Sequence, residues 1–255
     1  MQIIDLSIPL RNQSFDPAPQ QITYQDHSGK DWFGEVTFGM EPDDFDLAPD
    51  SGLASESVTL SSHAGTHVDA PYHFGAEVGG APARTIDQVP LEWCYGDGVL
   101  LDFSHCHAGY VITPDNLHQA LGKIEYVLKP TDIVLIRTGA DERFGQPDYF
   151  DQHCGLGAEA LDWLLARGIR TLGTDAFSLD TSIPYMVEAL KSGHKEQFFP
   201  VHLQVGRQRE HIHAEKLANL NKLPRPHGFK VAMFPVKIER ASGAWARVVA
   251  IFEDS

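Results

Sequence analysis

The chain has 255 residues, 42% of them hydrophobic and 22% charged, with a formal net charge of −15; this is a globular composition, long enough for one domain over residues 1–255, and its charge disfavours nucleic acid and anionic membrane surfaces as partners. No stretch approaches the roughly 18 uninterrupted apolar residues of a membrane span. The start, Met1-Gln2-Ile3-Ile4-Asp5-Leu6-Ser7, shows no basic segment followed by a long apolar one, which predicts a cytoplasmic protein without a secretory signal.

In chain order, β-rich runs predict strands over Gln2 to Ile8, Glu35 to Phe38, Glu56 to Ser61, Gly98 to Phe103, Asp132 to Thr138 and Arg170 to Thr174. Two more close the chain, Phe229 to Glu239 and Ala244 to Phe252, with Arg240 to Gly243 as a hairpin connection. Thr113-Pro114-Asp115 reads as a helix start, the threonine capping and the proline in the first turn, with the helix running to Leu121. A second helix from Ala158 sets Leu161, Leu164 and Leu165 on one side and stops at Gly168, and a third spans Pro184 to Lys191 before Gly193. The polar, Pro-containing or acidic stretches Asn12 to Asp31 and Met40 to Leu53 read as long loops.

The chemistry-bearing segment is His63-Ala64-Gly65-Thr66-His67-Val68-Asp69-Ala70-Pro71-Tyr72-His73. His63, Gly65, His67, Asp69, Pro71 and His73 all fall on odd positions, so an extended strand presents them on one face. A helix would turn Asp69 away from His67, and Gly65, the β-branched Thr66 and Val68, and Pro71 disfavour it. We therefore expect a strand ending in a turn near Pro71, with Gly65 leaving room for an ion or a substrate. Two neutral imidazoles and a carboxylate on one face offer donors for Zn²⁺, Mn²⁺ or Fe²⁺. The alternative is a half-exposed strand whose histidines pair with Asp69 and water.

The pattern His63-x-Gly65-Thr66-His67-x-Asp69-x-Pro71-x-His73 resembles, at every fixed position, the motif of the cyclase family of metal-dependent hydrolases, which includes bacterial kynurenine formamidases and isatin hydrolases. The resemblance runs further. Asp5-Leu6-Ser7 is similar to the family's opening strand, Arg137-Thr138-Gly139 to its central one, and Asp175-Ala176-Phe177-Ser178-Leu179-Asp180 to its Asp-x-x-Ser-x-Asp loop. His202 and Glu215-Lys216-Leu217-Ala218-Asn219-Leu220 resemble its second-site histidine and Glu-x-Leu-x-x-Leu segment. Departures are Asn12-Gln13-Ser14-Phe15-Asp16-Pro17-Ala18-Pro19 in place of a Trp-Pro-Gly-like loop, a His202 to Glu215 spacing about one residue longer, and Gln208-Arg209-Glu210-His211 in place of a small, Gly-containing stretch.

The resemblance implies an α/β fold with mixed β-structure and peripheral helices, assembled as a homodimer or larger homo-oligomer. It implies His63, His67 and Asp69 as ligands of a first divalent metal, Zn²⁺ or Mn²⁺, with Asp69 bridging to a second held by His202 and Glu215, or with that pair orienting water or substrate in a one-ion site. His73 is then the proton shuttle and His202 the next candidate for that role, while Ser178 and Asp180 stand on the substrate side or behind the ligands, with simple loop capping as their alternative. The implied reaction is attack of a metal-activated hydroxide on the carbonyl–nitrogen bond of a formamide, amide or lactam in a small aromatic or cyclic substrate. Lactone hydrolysis or cyclisation on the same metal, and a non-catalytic metal-binding protein, are the alternatives; a shuttle at His73 favours an enzyme.

Other features take plainer readings. His211-Ile212-His213 could clamp a metal from one strand face, but this pair and His105-Cys106-His107, which offers no third ligand at motif spacing, are expected to be solvated or structural. Ser178 lies in no Gly-x-Ser-x-Gly elbow, so a serine nucleophile is not expected. Tyr72 and Phe74 alternate with the ligand face and should pack away from it. Cys94, Cys106 and Cys154, odd in number and without a Cys-x-x-Cys pair, are expected as reduced, mostly buried thiols.

Overall fold

The computed structural model describes residues 1–12, 20–27 and 53–253. The chain divides into two compact units, Met1–Pro9 with Ser62–Ser255 and Leu10–Ser61. The larger is built on a nine-stranded mixed sheet: β1 (Gln2–Asp5), β2 (His67–Asp69), β3 (Tyr95–Asp102), β4 (Ile133–Arg137), β5 (Thr171–Thr174), β6 (Ile212–Glu215), β7 (His227–Ala232), β8 (Gly243–Trp245) and β9 (Val249–Phe252). Their order across the sheet is β1-β9-β7-β3-β4-β5-β6-β2-β8. The strands from β3 to β6 are parallel neighbours and the flanking pairs are antiparallel.

Strand β4, Ile-Val-Leu-Ile-Arg, is buried along its apolar run because both faces of the sheet are covered. Val134 and Ile136 join one core with Leu161 and Leu164, while Ile133 and Leu135 join another with Val68, Ala214 and Val231. The first core is roofed by α2 (Pro114–Lys123) and α3 (Ala158–Leu165); α1 (Pro71–Phe74) and α4 (Ile183–Lys191) complete the helices. Thr113 caps α2, its hydroxyl accepting from the Asn116 amide at 3.3 Å, and Gly168 after α3 adopts φ +87°, as the stop signals predict.

The expected C-terminal connection does reverse the chain, with Pro235 bridged antiparallel to Ala246 and Val236 N donating to Trp245 O at 2.9 Å, but the second arm is not one strand. The predicted strand Ala244 to Phe252 splits into β8, which pairs with β2, and β9, which pairs with β7 and β1. Only residues 246–248 separate them, although β8 is an edge and β9 is next to the other edge. The sheet therefore curls back on itself, and bonds from Leu6 N to Val248 O and from Ile8 N to Thr66 Oγ1, both 2.9 Å, tie β1 into the curl.

In the smaller unit, Gln21–Gln25 pairs antiparallel with Ser55–Thr59. The first of these strands falls inside the stretch read as a loop from Asn12 to Asp31, and Asn12 holds it through its side-chain amide, which donates to Ile22 O at 2.8 Å. The expected strand Glu35 to Phe38, nearly all of the loop Met40 to Leu53 and the stretch after Asn12 to Pro19 lie outside the described residues. Among those described, no helix is long and apolar enough to cross a membrane.

Candidate metal centre

The centre is set by the register of β2. His67-Val68-Asp69 is buried throughout, with His213 opposite Asp69 and Glu215 opposite His67 on β6, and Gly243 opposite Asp69 on β8. Side chains alternate, so His67, Asp69, His213 and Glu215 share a face. His202 reaches the same face from a short π-helix, Pro200–Val205, a winding often found at functional positions.

The expected turn at Pro71 is present, but the expectation of a strand running from His63 up to it is corrected here. Strand β2 begins only at His67, and His63 stands in the preceding turn. Gly65 makes that turn with φ +60°, and its carbonyl accepts from His67 Nδ1 at 2.9 Å, so it serves conformation and orientation. His73 lies within the single turn of α1, begun by Pro71. The four motif residues still converge, since turn and helix fold back over the strand. Lys216 Nζ supports the turn by donating to His63 O at 3.0 Å.

Asp69 lies at the middle. His63 Nδ1 is 2.7 Å and His67 Nε2 3.2 Å from its Oδ1; His213 Nε2 is 3.2 Å and His202 Nε2 3.7 Å from its Oδ2. Glu215 Oε1 is 3.3 Å from His213 Nε2 and 3.7 Å from His202 Nε2, and its Oε2 is 3.8 Å from His67 Nε2. Despite this crowding, both oxygens of Asp69 and Nε2 of His213 are buried without a hydrogen-bond partner.

The far side of each ring explains why. His67 Nδ1 must carry its hydrogen, because its partner is the Gly65 carbonyl. His202 Nδ1 donates to Asp180 Oδ2 at 2.5 Å, and His63 Nε2 has Ser242 Oγ at 2.9 Å. In the neutral rings of His67 and His202 the inner nitrogens then turn lone pairs toward carboxylate oxygens. Lone pairs facing buried anions are stable only around a cation, so the donor set fits a divalent ion.

The electrostatics call for positive charge here, as protons or as a metal ion. Burial pushes His202, His213 and His63 down, yet the surrounding carboxylates more than reverse this and raise all three above the ordinary imidazole value. Asp69 is held well below the carboxylate range against its own burial, chiefly by His73 and His67. His73 differs: burial of its ring, with His63 and His202 alongside, outweighs the pull of Asp69 and holds it at about 4, a neutral ring at pH 7. That ring leans on His63, centroids 4.1 Å apart, while part of the residue meets solvent.

Ser178 and Asp180, expected on the substrate side or behind the ligands, are buried at 3% and 0% exposure and stand behind His202. Asp180 is spent on Val201 N (2.7 Å) and on the His202 ring, and Ser178 Oγ accepts from Asp180 N at 3.2 Å. Phe74 packs as expected but toward the centre, its ring stacked 5.3 Å from His213 and 4.8 Å from His211; Tyr72 is 44% exposed, because α1 breaks the strand alternation. His105 and His107 lie in a loop elsewhere.

A family model described as Putative cyclase matches residues 4–181. The chain belongs to the cyclase family. The match includes His63, His67, Asp69 and His73 and stops before His202, His213 and Glu215. A kynurenine formamidase of Bordetella petrii is 32% identical over 148 residues, which span 58% of this chain and 62% of that relative. An isatin hydrolase bound to the product analogue thioisatinate shares the fold at TM-score 0.75 and 21% identity, over 99% of this chain and 93% of the other. Isatin hydrolase A from Ralstonia solanacearum does so at TM-score 0.73 and 23% identity, over 99% and 92%.

Two residues of the centre escape sequence reasoning in this member of the cyclase family. His213 had a usable signal, since His211, His213 and Glu215 alternate as His67 and Asp69 do, but only the register with β2 turns that alternation inward. Gly243 has none. A Cβ there would lie 2.7 Å from His63 Cε1, 2.9 Å from Val68 O and 3.2 Å from Asp69 Oδ1.

Proposed function

We propose that this chain is a metal-dependent hydrolase that cleaves the carbonyl–nitrogen bond of a formamide, amide or lactam in a small aromatic or cyclic substrate. The observation that carries the reading is the Asp69 carboxylate, buried without a hydrogen-bond partner amid four imidazole nitrogens. The kynurenine formamidase relative supports the choice of bond. His63 Nδ1, His67 Nε2 and Asp69 Oδ1 would hold one divalent ion, and Asp69 Oδ2, His202 Nε2 and Glu215 Oε1 a second. Zn²⁺ and Mn²⁺ both suit this mixture of nitrogen and oxygen donors. Such an ion, when bound, lowers the pKa of water toward neutrality and polarises a carbonyl.

The residues of the chain supply the rest. Asp180 fixes His202 with Nε2 inward, and the Gly65 carbonyl does the same for His67. His73, neutral and open to solvent on one side, takes a proton from the attacking water and returns it to the leaving nitrogen. His202 is less free for this, since its Nδ1 is committed to Asp180. Asp180 acts as a positioning residue behind His202, and Ser178 supports Asp180. We read residues 1–255 as one hydrolase domain acting as a homodimer or larger homo-oligomer. The three free cysteines suit the reducing cytoplasm.

The test is metal analysis of the purified chain, followed by hydrolysis of a panel of formanilides, isatins and lactones before and after chelation. Chelator-sensitive release of amine or ring-opened acid supports the proposal. Turnover confined to lactones would replace it with the lactonase reading, and bound metal with no turnover on any member would leave a binding protein.

A further inference from the structure

From the sequence alone His213 is expected to be solvated or structural, and it lies beyond the residues matched by the family model. Its ring is fully buried, in register with Asp69 across β6 and β2. Nε2 stands 3.2 Å from Asp69 Oδ2 and 3.3 Å from Glu215 Oε1, and makes no hydrogen bond.

The outer edge of the ring determines what that nitrogen can be. His211 Nδ1 lies 3.2 Å from the carbonyl of Arg209, a group that only accepts, so His211 carries its hydrogen on Nδ1. The opposite nitrogen of this fully buried ring is then an acceptor, and His213 Nδ1 lies 3.4 Å from it. His213 therefore holds a hydrogen on Nδ1, and its Nε2, between two carboxylate oxygens, is the position open to a metal ion in place of a proton. Phe74, stacked on both rings at 13° to each, fixes their plane. Histidine ligands are commonly oriented this way, through a hydrogen bond from the nitrogen that does not bind the ion.

We propose that His213 is a fourth protein ligand, with Asp69 Oδ2, His202 Nε2 and Glu215 Oε1, of a second ion, and that His211 is its positioning residue. This rests on the metal-dependent reading above and goes beyond it. Two nitrogens and two oxygens complete the four-coordinate set that Zn²⁺ favours at closed sites, whereas sites that do chemistry keep a position open. The two ions are thus unequal: the one on the His202 side is resident, and the one on the His63 side, with three protein ligands, is the exchangeable ion open to water and substrate. Glu215 Oε1 also accepts from Leu179 N at 2.9 Å, which holds it in place for this role.

The experiment compares the full chain with His213→Ala, His213→Gln and His211→Ala. Each is stripped with chelator, reloaded with Zn²⁺, and measured for ions per subunit by mass spectrometry and for affinity against a chelating dye. Wild type should bind two ions of distinct affinity. His213→Ala and His213→Gln should lose the tighter one and keep the other, and the retained ion reports an intact fold. His211→Ala should weaken the tighter site by about 10- to 100-fold, the usual effect of losing such a support. If His213→Ala does not fold, His211→Ala carries the test alone, and unchanged affinity there overturns the proposal. A wild type that binds a single ion, or a His213→Ala that binds two at wild-type affinity, also overturns it while leaving metal dependence standing. A wild type that binds no ion overturns both.

Discussion

Four imidazole nitrogens surround an Asp69 carboxylate that is buried without a hydrogen bond, and the predictions at the scale of single residues follow from that. His67→Ala removes an inward lone pair fixed by Gly65 O, so metal content and turnover should fall together, as metal analysis beside an assay will show. His73→Ala should separate them: the ion and the fold remain, and turnover drops by a factor on the order of 10² to 10⁴, the contribution of a positioned acid or base. Loss of metal in proportion to activity would make His73 a ligand instead. Gly243→Ala places a methyl group against His63, Asp69 and the Val68 carbonyl; overpacking of this kind costs about 1–3 kcal/mol, so both metal affinity and unfolding midpoint should decline. The four motif residues were legible from their spacing. His213 and Gly243 were not, because their meaning depends on which strands flank β2, and that pairing is non-local.

At the scale of elements, punctuation near in sequence was the legible part. Thr113 and Pro114 open α2 as expected, and Gly168 closes the turn after α3. Thr113→Ala, by removing the acceptor for the Asn116 amide, should cost about 1 kcal/mol of stability, visible as a lower midpoint in urea with activity unchanged. What the sequence hid were elements decided by distant partners. The stretch from Gly243 to Phe252 looks like a single strand because it is β-rich throughout, yet its halves pair with β2 and with β7 and β1. In the same way His63 to His73 alternates like a strand, while Gly65 at φ +60° and Pro71 at the head of α1 divide it into turn, strand and helical turn. The parity of the ladder thus led to the right residues through a local conformation that the backbone does not adopt.

For the larger unit as a whole, the curl of the sheet brings together ligands that are far apart in sequence: the turn before β2, β2 itself, the π-helix and β6. An ion at their meeting point cross-links the fold. Without it, Asp69 and Glu215 repel one another in the interior. At about 1,000 times its dissociation constant a ligand adds ~4 kcal/mol, so chelation should lower the thermal midpoint by about 10 °C, and reloading should restore it. The fold class was open to sequence reasoning through the family motif; the closure of the sheet was not, since it rests on the short link 246–248 between strands at opposite ends. The central claim is that the Asp69 centre works by holding a divalent ion. It is tested most directly by titrating chelator-stripped protein with Zn²⁺ or Mn²⁺ while following hydrolysis of a formanilide or isatin. Turnover should be absent without metal and rise with ion bound per subunit to a plateau; stripped protein that hydrolyses the substrate at the full rate would contradict the account.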